Sequence, residues 1–379
     1  MNAFLKKAYV FFKQHKINSV CKKKIRIIKQ NTNNLNISKE IERSYVKLWK
    51  PFDKKPDLNF LRTISSISGI QSHEFVPENI YYGKLEPVLN NKTFAYAYSD
   101  KNLYEHYLYD HRHLFPNTIL RCIWGAHQDK NYKTLSLKET LLIIEKLIVG
   151  QEYIVKPSIE TSGGRNILLV KKTKAGFETL NKAFSHEELL RLFKKNYNGN
   201  YIFQKKITQH SFLSEFNSSS VNIIRAFTYR SVINEQVRVL STYMRFGKEG
   251  LFVDGLRHGG KVVGISESGK IVNYAIGIDG KKYRDLPVIL KYQNTKFPLL
   301  EEIKKQAILI APLFKYSRIL GFDFTIDSEN KIRLIEVNCK NIGIINQQMN
   351  TGPLFKEYTK EIIDHCLSNK KAISIHFYV

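Results

Sequence analysis

Three side chains that carry oxygen ligands lie close together in the last fifth of the sequence. Asp323 is in one strand-like run, and Glu336 and Asn338 are in the next. Alternate residues of a strand share a face, so Glu336 and Asn338 point the same way and Val337 points into the core. A turn at 328–330 lets the strands pair, which brings Asp323 beside Glu336. Two carboxylates and an amide oxygen suit Mg²⁺, with nucleotide phosphates completing the shell. The alternative is a solvated strand face, but the apolar neighbours weaken it because a carboxylate beside buried residues needs a partner.

A lysine followed by a glycine-rich segment forms a second candidate site. Lys156 ends a strand-like run, and Ser162, Gly163 and Gly164 follow it. Glycines let backbone N–H groups approach phosphate oxygens closely, and the ammonium group adds a point charge. The segment is not a Walker A loop, which needs Gly-x-x-x-x-Gly-Lys-Ser/Thr opening a helix. A tight hairpin that uses two glycines for its turn remains the alternative.

Two arginines lie between these motifs on strand-like runs. Arg225 is in the run 221–229 and Arg245 follows the run 237–244. Guanidinium groups on neighbouring strands can hold a phosphate or a carboxylate with paired hydrogen bonds. Ion pairs across the strands are the alternative. The candidates for contact with a substrate are Asp254, Arg257 and His258, and an ordinary surface role is the alternative for Arg257 and His258.

Composition limits the classes of protein that fit. The chain has 379 residues, enough for two or three domains, and a net charge of +26, which favours anionic partners such as phosphorylated molecules, nucleic acid or acidic membrane surfaces. The four cysteines are far apart in sequence, which argues against a disulfide framework or a zinc module. No apolar run has the length needed to cross a bilayer, so we expect a cytoplasmic protein.

The first thirty residues carry nine lysines or arginines and no acid. Apolar residues recur there at helical spacing, namely Phe4, Leu5, Ala8, Phe11 and Phe12. This pattern predicts a basic amphipathic helix, which can lie on an anionic membrane surface at the inner face of the membrane. The alternative is a helix that packs on the body of the protein and exposes its lysines to water.

Helix and strand signals are mixed from about residue 95 onward. Capping boxes at Ser136 with Glu139 and at Ser185 with Glu188 predict two helix starts. Strand-like runs are predicted at 153–155, 167–170, 201–203, 221–229, 237–244, 321–326 and 332–337, and a terminal helix around 357–366. The order lacks a regular strand–helix–strand alternation, so we predict an α+β fold with antiparallel strands.

The order of these motifs resembles the ATP-grasp superfamily, most closely its sugar-transfer-associated branch, which is linked to surface-polysaccharide synthesis. The resemblance covers roughly residues 95 to 350. The segments that carry it are 99–101, 155–164, 202–210, 219–225, 253–260 and 321–338. It implies two α+β subdomains that enclose ATP. We therefore expect a basic, largely helical region at 1–95, a first subdomain at 96–205 and a second at 206–379.

The resemblance also implies a role for each candidate residue. Lys101 and Lys156 match the two lysines that reach the nucleotide phosphates, and Ser162, Gly163 and Gly164 belong to the loop that covers them. The adenine hinge matches Gln204, Lys205 and Ile207, largely through its backbone. Asp323, Glu336 and Asn338 match the Mg²⁺ ligands, and Arg225, with Arg245, lies near the transferred phosphate. The chain departs from the family pattern at one position on the substrate side of the site, where it has Gly255 in place of the usual Asn.

Carboxylate–amine ligation is the chemistry that the resemblance implies. A substrate carboxylate would attack the γ-phosphate of ATP to give an acylphosphate, and an amine would then displace phosphate. The expected substrates are small molecules, a carboxylate and an amine, one of them a sugar precursor. Two alternatives are phosphoryl transfer to a sugar, as in a kinase, and a non-catalytic protein that binds nucleic acid. No RNA-recognition or helix-turn-helix signature is present, so no nucleic-acid partner is expected.

Overall fold

The N-terminal quarter of the chain is helical, and helices recur between the later strands. The computed structural model describes residues 3–32, 35–159 and 166–369, without the side chains of 3–7. Its helices are α1 (Ala3–Gln30), α2 (Lys39–Trp49), α3 (Leu58–Ser68), α4 (Glu78–Ile80), α5 (Glu86–Leu89), α6 (Lys92–Tyr98), α7 (Tyr104–Tyr107), α8 (Leu137–Glu145), α9 (His186–Tyr197), α10 (Ser211–Ser214), α11 (Pro287–Tyr292), α12 (Leu300–Ile310), α13 (Ile345–Thr351) and α14 (Thr359–Ser368). A π-helical turn (Tyr81–Leu85) joins α4 to α5, and short 3₁₀ turns include Lys101–Leu103 and Leu256–His258.

The strands form two sheets, each of seven strands in the described part of the chain. The strands are β1 (Thr118–Ile123), β2 (Ala126–Gln128), β3 (Glu152–Pro157), β4 (Leu168–Lys172), β5 (Phe177–Glu178), β6 (Ala183–Phe184), β7 (Tyr201–Lys205), β8 (Ile223–Arg230), β9 (Val237–Phe246), β10 (Lys261–Ile265), β11 (Ile271–Ile276), β12 (Lys282–Tyr283), β13 (Ile319–Ile326) and β14 (Ile332–Asn338). The first sheet has the order β2-β1-β7-β3-β4-β5-β6, and the second has the order β12-β11-β10-β9-β8-β13-β14. Neighbouring strands pair antiparallel throughout.

Sequence-local signals explain where several elements begin. Ser136 and Ser185 cap α8 and α9, and in each case a glutamate three residues later returns the hydrogen bond, so both predicted capping boxes are confirmed. The predicted strand runs all correspond to strands, which confirms the α+β class. The turn between β13 and β14 closes on Asp327, whose side chain accepts from the backbone N–H groups of Glu329 and Lys331.

The second sheet is buried on both faces. One face packs against the N-terminal helices and the C-terminal helices α13 and α14 in one continuous apolar cluster. The other face packs against α11, α12 and the segment around α7. The first sheet has a separate core with α8 and α9. The two strands that carry Asp323 and Glu336 therefore lie in a sheet whose position is fixed from both sides.

Helix α1 is present as predicted, but its buried face differs from the predicted apolar stripe. The side chains that pack on the body are Ile17, Cys21, Ile25 and Ile28. Phe11 and Phe12 are exposed, and the side chains of Phe4 and Leu5 lie outside the described residues. The sequence pattern did not reveal the apolar side chains in the second half of the helix, because lysines separate them. None of the described helices combines the length and apolar content needed to cross a membrane.

Candidate active site

The predicted oxygen ligands come together on the last two strands of the second sheet. In the pairing of β13 with β14, Asp323 lies opposite Glu336, and Asn338 lies opposite Gly321. The register shifts just after Asp323, so β14 carries one extra residue there. The Asn338 amide donates to the Gly321 carbonyl at 3.1 Å. The hairpin thus places two carboxylates and an amide side by side.

Both oxygens of Asp323 bind Arg225. The guanidinium donates from Nε to Oδ1 and from a terminal nitrogen to Oδ2, each at 2.6 Å, and the aspartate is almost fully buried. The pairing of β8 with β13 produces this geometry, because Arg225 lies directly opposite Asp323. Burial alone would raise the pKa of Asp323, but Arg225 and Arg245 outweigh it and hold that pKa below its usual value. Asp323 is therefore ionised in this arrangement.

Arg245 links Asp323 to Asp254. Its Nε donates to Asp254 Oδ2 at 2.9 Å, and a terminal nitrogen donates to Asp323 Oδ2 at 3.2 Å. Burial raises the pKa of Asp254, and Arg245 opposes that shift. Gly260 packs against the backbone of Asp254. A Cβ at position 260 would lie 2.7 Å from the Asp254 carbonyl oxygen, so only glycine fits. The cluster consists of two arginines alternating with two aspartates, which is the ion-paired arrangement considered as an alternative above.

Lys101 connects the first sheet to the hairpin. Its ammonium group donates to Glu336 Oε1 at 2.7 Å, and its backbone N–H donates to the Ser158 carbonyl at 2.9 Å. Ser158 directly follows β3, so Lys101 joins the end of that strand to β14. The Lys101 side chain is only 10% exposed and that of Glu336 is 28% exposed, so the pair is largely shielded from water.

Lys156 lies beside this pair. Its pKa is lowered to about 8, mainly by burial and also by the nearby Lys101, while Glu336 opposes the shift. The two lysines and Glu336 are therefore within electrostatic reach of one another. A lysine held near the Lys101 charge gains from an anionic ligand that binds between the two ammonium groups.

The residues present fit a magnesium ion by their chemistry. Asp323, Glu336 and Asn338 offer two carboxylates and one amide oxygen on adjacent strands, and Mg²⁺ prefers such hard oxygen ligands. In the described residues, no group of three or more His, Cys, Asp or Glu side chains has the arrangement of a metal site. The two carboxylates are bound to Arg225 and Lys101, so a cation and phosphate oxygens would have to take the place of these ion pairs.

The residues predicted to form the adenine hinge lie at the end of β7, where the first sheet meets the second. Gln204 is buried, and its amide donates to Thr118 Oγ1 at 3.1 Å, so its side chain serves the sheet. The Lys205 N–H donates to the Asn117 carbonyl. Within the described part of the chain, the Ile207 N–H donates to no backbone carbonyl. That leaves a backbone donor at the hinge.

Some predicted residues do not join the cluster. Arg257 and His258 lie on an exposed 3₁₀ turn, and among the described residues neither forms a hydrogen bond or ion pair with Asp254 or Arg245. Ser162, Gly163 and Gly164 lie outside the described residues, so their predicted contact with phosphate stays a prediction.

Two residues that support the site were not identified from the sequence. The Tyr104 hydroxyl accepts from the Val337 N–H at 3.1 Å and lies 3.3 Å from the Val337 carbonyl, which fixes the strand edge between Glu336 and Asn338. Asn90 donates to the carbonyls of Ile319 and Cys339, each at 2.7 Å. No local pattern marks either residue, because their partners lie more than 200 residues away in sequence.

Comparison with known proteins identifies the family of this site. A family model described as sugar-transfer associated ATP-grasp matches residues 82–363. The same range contains the ion-paired residues Arg225, Arg245, Asp254 and Asp323. It also contains Lys101, Lys156 and Glu336. No protein of curated function matches the sequence.

Several solved structures resemble this chain at low sequence identity. D-alanine–D-alanine ligase from Bacillus anthracis is 13% identical, with a TM-score of 0.38 over 72% of this chain and 68% of that chain. Biotin carboxylase from Campylobacter jejuni is 12% identical, with a TM-score of 0.41 over 71% and 46%. N5-carboxyaminoimidazole synthetase from Staphylococcus aureus is 11% identical, with a TM-score of 0.36 over 65% and 46%. This chain thus spans less than half the length of the last two, and the assignment to the family comes from the family model.

Proposed function

Because this chain belongs to the sugar-transfer associated ATP-grasp family, we propose that it is an ATP- and Mg²⁺-dependent ligase that joins a carboxylate to an amine. The observation that carries the proposal is the Lys101–Glu336 contact of 2.7 Å. It brings a basic group at the end of the first sheet onto an acidic group of the second. A magnesium nucleotide has the complementary pattern, since its phosphates bind cations and its metal binds carboxylates.

In this proposal, the ion pairs of the site exchange partners when the nucleotide binds. When the nucleotide binds, Lys101 turns from Glu336 to a phosphate oxygen, and Lys156 binds beside it in its protonated form. Glu336, Asp323 and Asn338 would then hold the metal, and a bound metal would supply Lewis-acid polarisation of the phosphate oxygens. Every exchange replaces one charge partner by another, so no buried charge is left alone.

The two arginines act on the transferred group in this proposal. Arg225 and Arg245 hold positive charge close to Asp323, and a transferring phosphoryl group spreads negative charge over its oxygens. Once they exchange Asp323 for the phosphate oxygens, these charges, already positioned by the sheet, stabilise the transition state. No nucleophilic side chain is needed, since the substrate carboxylate attacks the phosphate to form an acylphosphate and the amine then displaces phosphate from it.

We assign the substrate class from the description of the family. A sugar precursor that carries a carboxylate, of the kind used to build surface polysaccharide or capsule, is proposed as one substrate, in a cytoplasmic reaction. Asp254, Arg257 and His258 remain the proposed substrate-side residues. The position beside Asp254 is Gly255, so the pocket there has no side chain where the related proteins are expected to have an amide.

A product assay tests the proposal. The full chain is incubated with ATP, Mg²⁺, a panel of uronic-acid sugars and a panel of amines, and ADP, phosphate and the coupled product are measured. We expect release of ADP and phosphate that needs both substrates. Glu336→Gln should lower turnover by about 100-fold or more. Glu329→Gln, in the exposed turn of the same hairpin, is the matched control and should retain it.

Two results would contradict the proposal. One is the absence of turnover with every combination of substrates. The other is a stable phosphorylated sugar formed without any amine, which would identify a kinase. Mass spectrometry of the products separates amide from phosphate ester.

A further inference from the structure

Helix α1 has exposed apolar residues on the side that faces away from the body. Phe12, Val20 and Ile27 are 69%, 43% and 47% exposed. At about 100° per residue they fall within roughly 80° of one another around the helix. The buried residues of the helix, Ile17, Cys21, Ile25 and Ile28, are centred roughly 130° further around it. When a surface helix faces water, its exposed side carries polar residues. The exposed apolar residues of α1 therefore indicate that a partner covers this outer face.

Basic residues share the outer face. Lys16, Lys23 and Arg26 are exposed there, between the three apolar side chains. Two other lysines of the helix have partners on the body instead: Lys24 pairs with Glu78 at 2.7 Å and Lys29 binds Asn59. The sequence has no acidic residue before position 40, so no carboxylate of α1 itself neutralises the outer face. The face is therefore both apolar and strongly positive.

We infer that this outer face of α1 docks on the surface of an anionic phospholipid bilayer. Apolar and aromatic side chains enter the boundary between headgroups and acyl chains, while lysine and arginine reach the phosphates. A nucleic acid would satisfy the basic residues but would leave Phe12, Val20 and Ile27 without apolar contacts. The inference does not depend on the proposed reaction.

The packing of α1 fixes how the protein would lie. Four apolar residues in the second half of the helix hold it along the body, so α1 stays parallel to the lipid surface instead of entering it end-on. The helix is 28 residues long, about 42 Å, which gives a long and narrow footprint.

Sedimentation with lipid vesicles tests the inference. The full chain is mixed with vesicles of phosphatidylcholine containing about one-third phosphatidylserine, in about 0.1 M salt. We expect binding that pure phosphatidylcholine does not support. Changing Lys16, Lys23 and Arg26 together to glutamine should weaken it by about 100-fold, since each basic group adds roughly fivefold. The matched control changes Lys138, Lys146 and Lys195, exposed on other helices, and should stay within about threefold of the wild type.

An apolar pair of variants completes the test. Phe12→Ser should weaken vesicle binding by about tenfold, whereas Leu180→Ser, at a residue 93% exposed in the turn between β5 and β6, should leave it unchanged. Equal losses in the α1 variants and their controls would overturn the inference, because binding would then follow net charge alone. So would binding of an RNA or self-association that depends on Phe12 while the vesicles fail to bind. Circular dichroism melting curves exclude unfolding as the cause.

Discussion

Lys156 is the residue of the site whose charge responds most to its surroundings. Its pKa of about 8 follows from burial and from the neighbouring Lys101. A bound phosphate would favour the charged form and raise that pKa. Binding of the nucleotide therefore takes up a proton once the pH exceeds the pKa of the free protein.

We predict that the affinity for magnesium ADP falls as the pH rises above about 8, by up to tenfold per pH unit. Calorimetric titrations between about pH 7 and 9.5 measure this slope. Lys156→Arg keeps its charge over the whole range and should flatten the profile. A profile of Lys156→Arg that falls in parallel with the wild type would show that another group titrates.

Asp323 is predicted to support the fold as well as the metal. Asp323→Asn leaves Arg225 and Arg245 without their shared carboxylate, and an uncompensated buried charge costs about 3–5 kcal/mol. We expect the free energy of unfolding in urea to fall by this amount. Asp364→Asn, which breaks an exposed ion pair with Lys360, should cost less than about 1 kcal/mol. Equal stability of the two variants would contradict the burial of the cluster.

Strands β13 and β14 depend on a residue outside the sheet for their alignment. Asn90 accepts from the N–H groups of Arg318 and Ile319, where β13 begins, and donates to the carbonyls of Ile319 and Cys339, where β13 begins and β14 ends. A single buried amide thus joins the two strands that carry the oxygen ligands. The segment before the first sheet is therefore part of the support of the site.

Asn90→Asp tests this role with almost no change of shape. The carboxylate cannot donate to the two carbonyls, and each buried group left unsatisfied costs about 1–3 kcal/mol. We expect the free energy of unfolding to fall by at least about 2 kcal/mol, and the dissociation constant of magnesium ADP to rise. Asn31→Asp removes one exposed hydrogen bond and serves as the control. Equal effects of the two changes would rule out the role of Asn90.

Strand pairing explains what could and could not be predicted from the sequence. The alternation along β14 and the turn at 328–330 were enough to place Asp323 beside Glu336. The bidentate contact with Arg225 was not predictable, because it depends on the register between strands 98 residues apart. The contacts of Tyr104 and Asn90 depend on even longer separations. Short motifs thus predicted which side chains of this hairpin lie together, and long-range packing determined their partners.

The whole molecule brings basic groups from the end of the first sheet to acidic groups of the second. Lys101 and Lys156 lie on one side of that junction, and Asp323, Glu336 and Asn338 lie on the other. The hinge at 204–207 lies where the first sheet reaches the turn after β13, through the Gln209–Asp327 bridge. In the proposed function, one nucleotide must bind all of these groups at once.

Calorimetric titration with ADP, with and without Mg²⁺, tests that requirement most directly. We predict one binding site that depends on Mg²⁺ and is lost both in Lys156→Met, which changes the first sheet, and in Glu336→Gln, which changes the second. Glu329→Gln should bind as the wild type does. Binding that is equally tight in EDTA, or that survives in either site variant, would contradict a nucleotide held between the two sheets.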